Sequence, residues 1–280
     1  MKIPIDSKLA AEALRQTVPQ YDELIAKLQS DNEIFTNITQ FAKKNGLSGY
    51  PQLYLDKQIH IKLVLLTLMP VEQINSFNEF VKTLNPDEAI AYANQAVQNL
   101  NQSPEKLDEI LDPILPDNPS ELDSSQLTDR DKLVLTAFLV LFHDIVSFLV
   151  HGRRITDLVQ CAINGDDEAF CLAAQTDRLV LTIPYFQKRV DKALNLQTDD
   201  DARFIYNLSY RMQNPVLRGK IKHRKVWIAL LLLDSMSLLD GSLTRAELLV
   251  MLDEAGIEGI GSEDNLSRML RKFRAYQNEV

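Results

Sequence analysis

The stretch from Asp131 to His151 constrains this chain more than any other. Read as a helix, its Leu133, Leu135, Phe138, Leu139, Phe142, Ile145, Val146 and Leu149 spread over nearly the whole circumference. A helix apolar on most sides has to be enclosed by other elements. Its polar residues Thr136, His143, Asp144, Ser147 and His151 fall along one narrow stripe. Leu133 to Val150 also has about the 18 residues that a membrane span needs. Against that reading, Asp144 near its middle costs about 3 kcal/mol in a bilayer, and no other segment approaches the necessary length. The expectation is a core helix with other helices packed around it, and no membrane contact.

Composition agrees. With only 9 Gly in 280 residues, few alternating β-branched runs and much Leu, Ala, Gln, Glu and Lys, the chain favours helices throughout. The sequence predicts an all-α multi-helix bundle: two helical regions packed around the central apolar helix, with a helix-turn-helix-like pair at the C-terminus. A content of 45% hydrophobic and 25% charged residues suits an ordinary folded protein with one large core or two smaller ones. Met1 to Asp6 lacks the apolar run of a signal peptide, so the expected compartment is the cytoplasm. Cys161 and Cys171 lie on helical segments and are expected to be buried thiols rather than a disulfide or half of a zinc site.

Charge divides the chain. Residues 1–129 hold 10 of the 30 basic and 19 of the 39 acidic residues, so the remainder is balanced and all the excess acid lies in the first half. Three regions follow: an acidic N-terminal helical bundle over 1–111, a linker over 112–128 carrying Pro113, Pro116 and Pro119 with no basic residue, and a charge-balanced helical domain over 129–280 with basic C-terminal helices.

Local signals place the elements. Ser7 caps a first helix that Pro19 is expected to interrupt, with Tyr21 to Leu28 continuing the pattern. A helix opening at Asp31 closes at Asn45-Gly46, and Gly49-Tyr50-Pro51 makes a turn. Helices are predicted at about 52–68, 71–84 and 87–100, and a short one from Ser103-Pro104. Two short helices at 156–164 and 166–175 form a hairpin around Gly165, with Asp166 as the second cap. Thr182 is assigned as the cap of a helix reaching Leu196, and Thr198 as the cap of the next.

Functional signals concentrate near the C-terminus. Arg203, Arg211, Arg218, Lys220, Lys222, Arg224 and Lys225 occur with no acidic residue between 202 and 233, interleaved with Phe204, Tyr206, Tyr210 and Trp227. Thr244-Arg245-Ala246-Glu247 is a capping box, and Ser262 caps a last helix that exposes Arg268, Arg271, Lys272 and Arg274. Leu266-Ser267-Arg268 is of the type found in recognition helices, although the joint at 257–261 is longer than a simple helix-turn-helix turn. Arg211, Arg218, Lys220, Lys222, Arg224, Lys225, Arg268, Arg271, Lys272 and Arg274 are therefore the candidate nucleic-acid-binding residues, by phosphate neutralisation and aromatic stacking. The other reading of the same residues is internal: basic side chains paired with the protein's own acids, aromatics in the core.

Catalytic and metal signals are thinner. His143-Asp144 resembles the adjacent metal ligands of HD-type phosphohydrolases over those two residues, but His60, His143, His151 and His223 show no spacing for a metal cluster. Asp240-Gly241-Ser242-Leu243 and Glu247 match some positions of a calcium loop, whose first and third positions would be Met236 and Leu238, so no calcium is expected. No phosphate-cradling glycine loop or nucleophile elbow occurs. The expected function is a non-enzymatic nucleic-acid-binding protein that needs no cofactor or metal, with its acidic half contacting a protein partner. The alternatives are an adaptor that binds proteins only, and a hydrolase built on His143 and Asp144.

Overall fold

The computed structural model describes residues 7–30, 33–56, 129–196, 198–214, 221–236, 238–241 and 243–278. Among these residues there are ten α-helices, two short 3-10 segments and no strand. The protein is all-α. The predicted linker at 112–128, the predicted helices between 57 and 111, and the candidate residues Arg218 and Lys220 lie outside the described residues.

The described chain gathers into two compact units, each discontinuous in sequence. One takes residues 7–24, 129–137 and 222–275; the other takes 25–56, 138–221 and 276–278. Helix α1 (Ser7–Ser30) and helix α3 (Asp129–His151) contribute residues to both.

Helix α1 runs through Pro19 rather than stopping there. The proline ring removes one backbone donor, but it sits on the exposed side, while Leu14, Val18, Tyr21 and Ile25 are buried on the other. Packing on both sides of the proline outweighs its local cost of about 3 kcal/mol. Helix α2 (Glu33–Lys44) ends as its sequence predicts: Gly46 adopts φ 71°, and the Leu47 N–H donates to the Ala42 carbonyl at 2.8 Å. The segment after it departs from expectation. Tyr50–Leu55 forms a 3-10 turn that ends in extended backbone at Asp56, so no α-helix begins at Gln52. Buried Tyr50 and Tyr54 anchor that turn, and their side-chain bonds replace a helical start.

In the second unit the chain continues from α3 into α4 (Ile155–Ile163) and α5 (Asp167–Thr176). The predicted hairpin is present, with Gly165 at φ 99° and the Asp166 carboxylate accepting from the Glu168 and Ala169 N–H groups at 3.0 and 2.9 Å. A 3-10 segment over Arg178–Thr182 precedes α6 (Pro184–Leu196) and α7 (Asp199–Gln213). Thr182 does not cap α6. Its hydroxyl donates back to the Leu179 carbonyl at 2.7 Å, closing the 3-10 turn instead. Thr198 does cap α7, through the Asp201 N–H. Phe170 stacks on Phe186 at 4.2 Å and meets Phe204 edge-on at 5.1 Å, which joins α5, α6 and α7. Arg189 lies over the Phe204 ring at 4.0 Å and is paired with Asp167 and Asp201.

In the first unit, α8 (Arg224–Ser235) presents buried Val226, Ile228, Ala229, Leu230 and Leu233. Helix α9 (Arg245–Glu254) opens with the full capping box of Thr244 and Glu247 and ends at Gly256, φ 72°. Helix α10 (Glu263–Asn278) buries Leu266, Leu270 and Phe273. Arg15 on α1 donates two hydrogen bonds to the Glu254 carbonyl at the end of α9, at 3.2 and 2.6 Å.

Helix α3 is buried over most of its length, from Leu135 to Phe148. Among the described residues no single helix is long and apolar enough to cross a membrane. Only the pair Leu135–His151 and Ile155–Ile163, bent by 81°, passes by length and composition. Because Phe142 is fully buried on α3, Phe142→Ala should destabilise the fold by about 3–5 kcal/mol. Urea unfolding would read this as a lower midpoint, and an unchanged midpoint would contradict the placement of this helix in a core.

Candidate polyanion-binding cleft

The polar stripe of α3 carries the one catalytic pair that the sequence suggests, His143 and Asp144. His143 is buried; its Nδ1 lies 2.7 Å from the Leu139 carbonyl one turn back, and its ring stacks on Tyr50 at 5.7 Å. Asp144 points elsewhere: its Oδ2 accepts from Arg154 at 3.1 Å in a buried ion pair. Ser147 donates to the Arg153 carbonyl at 2.8 Å. Each residue of the pair is thus committed to its own structural contact. Among the described residues no group of three or more His, Cys, Asp or Glu side chains is gathered as a metal site would require.

Next to this stripe lies a network that the sequence did not announce. Asp177 accepts hydrogen bonds from Tyr50 at 2.7 Å and Tyr54 at 3.0 Å, and its other oxygen accepts from the Leu179 N–H at 2.9 Å. Burial, with the Asp177 charge beside them, raises both phenols well above their usual range. The cysteines are free. The Cys161 sulfur accepts from Arg153, and burial pushes the Cys171 thiol up to about 12.

The candidate basic residues separate into two groups. Arg211 pairs with Glu168 on α5, and Arg224 pairs with Asp22 on α1. These two are internal braces in different units. Lys222 and Lys225 are exposed at the start of α8, and Lys272 is exposed on α10. Arg268, Arg271 and Arg274 share a stripe along α10 with Asp264 and Ser267, three or four residues apart, and that stripe forms one wall of a cleft of about 590 Å³. The segment from Leu239 to Leu248 forms the other wall, and it adds a fourth arginine, Arg245.

Local sequence explains the second wall. Gly241 at φ 99° turns the chain, and the capping box then fixes the start of α9 so that Arg245 occupies its first turn. The Glu247 carboxylate is taken up by the Thr244 N–H and hydroxyl, both at 2.7 Å. Arg274 ties the walls together, donating to the Leu239 carbonyl at 3.1 Å. Arg271 makes a 3.4 Å bond to the Ser267 carbonyl one turn back.

None of the four cleft arginines has a carboxylate within ion-pair distance among the described residues, although Asp264 lines the same cleft. Elsewhere Arg154, Arg189, Arg203, Arg211 and Arg224 have acidic partners, whereas Arg153 and Arg178 bond to the Cys161 sulfur and the Met212 carbonyl. Guanidinium groups left unpaired around a concavity suit an anion that accepts from planar forks, above all phosphate. Sequence reasoning found three of these four. It missed Arg245, which it read only as a helix start, and its one available signal was the capping box that fixes that residue at the mouth of α9.

Comparison with known proteins gives no match: neither a protein family, nor a curated protein, nor a solved structure aligns with the chain.

Buried Asp144 and half-buried His151 make the stability of the second unit respond to pH in opposite senses. Burial, opposed by Arg154, pushes Asp144 up to about 6; burial and the charge of Arg211 pull His151 down to about 4. Asp144 binds its proton more tightly when folded, so its contribution falls as pH rises from about 4 to 6. His151 binds its proton less tightly when folded, so its contribution rises over the same interval. Relative to the parent, Asp144→Asn should add a positive slope of stability against pH of up to about 1.4 kcal/mol per unit, and His151→Gln a negative one. Urea unfolding across that interval measures both slopes, and parallel curves for all three proteins would refute the assignment.

Proposed function

We propose that this protein binds nucleic acid without catalysing a reaction on it, and that the arginine cleft between α10 and the 239–248 segment is the contact for the phosphate backbone. The observation that carries this reading is the convergence of Arg245, Arg268, Arg271 and Arg274 on one cleft, none of them ion-paired among the described residues. Lys222, Lys225 and Lys272, exposed in the same unit, add to its positive field. Arg211 and Arg224 are withdrawn from the interface by their ion pairs. The acidic N-terminal half, of which 57–111 lies outside the described residues, is the proposed surface for a protein partner on its charge balance alone.

A second reading, an adaptor that binds only proteins, is favoured by one feature of the other unit. Tyr206 and Tyr210 on α7 are 68% and 58% exposed and stack on each other at 6.4 Å. Exposed paired aromatics of this kind are common at protein interfaces. In that case Tyr206→Ser with Tyr210→Ser would release a stoichiometric partner while nucleic-acid retention stayed absent throughout.

The nucleic-acid reading is tested by titrating a labelled oligonucleotide against salt. Phosphate contacts release counterions, so affinity should fall steeply as salt rises. Arg268→Glu with Arg271→Glu should weaken binding at least about tenfold and flatten the salt slope by about 1.4 for a single strand, at 0.7 per lost contact. Lys222→Glu with Lys225→Glu, outside the cleft, should change it less. Equal affinity and slope for the cleft variant and the parent would overturn the proposal.

A further inference from the structure

We infer that the cleft takes an unpaired strand, one nucleotide of which lodges inside with its base on a leucine floor and its flanking phosphates on the arginines. This inference rests on the phosphate-binding reading of the same cleft and narrows it to a kind of ligand.

Three observations point the same way. The first is shape. A helix that reads duplex DNA lies as a projecting ridge in a major groove about 12 Å wide, which a single helix about 10–12 Å across already fills. Here the arginine stripe of α10 faces into a concavity, and the segment from Leu239 to Leu248 stands over it. The helix together with that segment is too broad for the groove.

The second observation is size. At about 590 Å³ the cleft falls within the roughly 300–1,000 Å³ of sites that enclose small ligands. That is room for a nucleotide-sized group and far too little for a duplex.

The third is the mixed chemistry of the lining. Leu239, Leu248 and Leu270 line the cleft with only a small part of each surface exposed, and Leu243, half-buried, adds a larger apolar face to it. A bare polyphosphate would use only the guanidinium groups. A nucleotide uses both, because a base presents an apolar face to leucine and to the flat guanidinium planes, while its phosphates accept from the guanidinium edges. Arginine stands on both walls, Arg245 on one side and Arg268 and Arg271 on the other, so a strand passing through meets a cation before and after the lodged base. Asp264 at the same wall can accept from an exocyclic amine, which a phosphate lacks.

The test is competition on the full-length protein. A labelled single-stranded oligonucleotide is displaced by four unlabelled competitors at equal phosphate concentration: the same strand, its duplex, an abasic strand of equal length and inorganic polyphosphate. The intact strand should compete at least about tenfold better than the other three. Leu243→Ser, shown to be folded by its unfolding midpoint, should erase most of its advantage over the abasic strand and leave the salt dependence of binding unchanged. If the abasic strand or polyphosphate competes as well as the intact strand, base insertion is wrong and phosphate binding stands. If the duplex competes best, the strand preference is wrong. If no polyanion displaces the probe, the phosphate-binding reading itself fails.

Discussion

Asp144 is 1% exposed near the middle of a helix buried on nearly every side, and the surrounding chain is arranged to answer its charge. Removing a carboxylate from water costs several kcal/mol unless a partner and hydrogen bonds compensate. Arg154 supplies the partner, and the backbone at Ile155 and Thr156 further favours the charged form. All three residues follow directly after α3, so the chain must turn through about a right angle, 81°, past Gly152, φ 70°, to bring them to the carboxylate. The start of α4 is thereby fixed. The preceding residue, His143, receives the Tyr50 ring, and Tyr50 with Tyr54 reaches Asp177. A narrow polar stripe on one helix thus sets the position of α4, of the 3-10 turn at 50–55 and of the chain leaving α5.

The distribution of charge pairing is the second organising fact. In the second unit, arginines bridge helices: Arg189 joins α6 to α5 and α7, and Arg211 joins α7 to α5. These bridges add to the Phe170, Phe186 and Phe204 cluster that joins the same three helices. At the C-terminus four residues of the same type line a cavity beside a single carboxylate, Asp264, and none of them is ion-paired among the described residues. Coulomb repulsion among cations of this density is tolerated only where solvent or a ligand screens it. That contrast, rather than the number of basic residues, separates structural arginines from candidate binding ones.

How much of this was legible in the sequence depends on the range of the interaction. Asp166, Thr198, Thr244, Gly46 and Gly256 were all read as helix boundaries, and each is one, because a cap is decided within about four residues. Pro19 and Thr182 were misread for the complementary reason. Burial of neighbours carries α1 through its proline, and a 3-10 turn claims the Thr182 hydroxyl. The basic run at 203–225 looked uniform, yet Arg211 meets Glu168 from 43 residues away and Arg224 meets Asp22 from 202. No local pattern marks such partners. The cleft itself was half legible: the α10 stripe follows from helical spacing, whereas the opposing wall with Arg245 exists only once the 239–248 segment packs against it.

The discontinuity of the two units bears on how the molecule comes into being. During synthesis the chain emerges N-terminus first, and contacts between distant residues wait for the later partner. Residues 25–221 complete most of the second unit while the first still lacks 222–275. The early half of α1 must therefore spend that interval without Glu254 and Arg224, the partners that later hold Arg15 and Asp22. The order of synthesis thus differs from the order of contact: the first helix made is among the last to gain its side-chain partners.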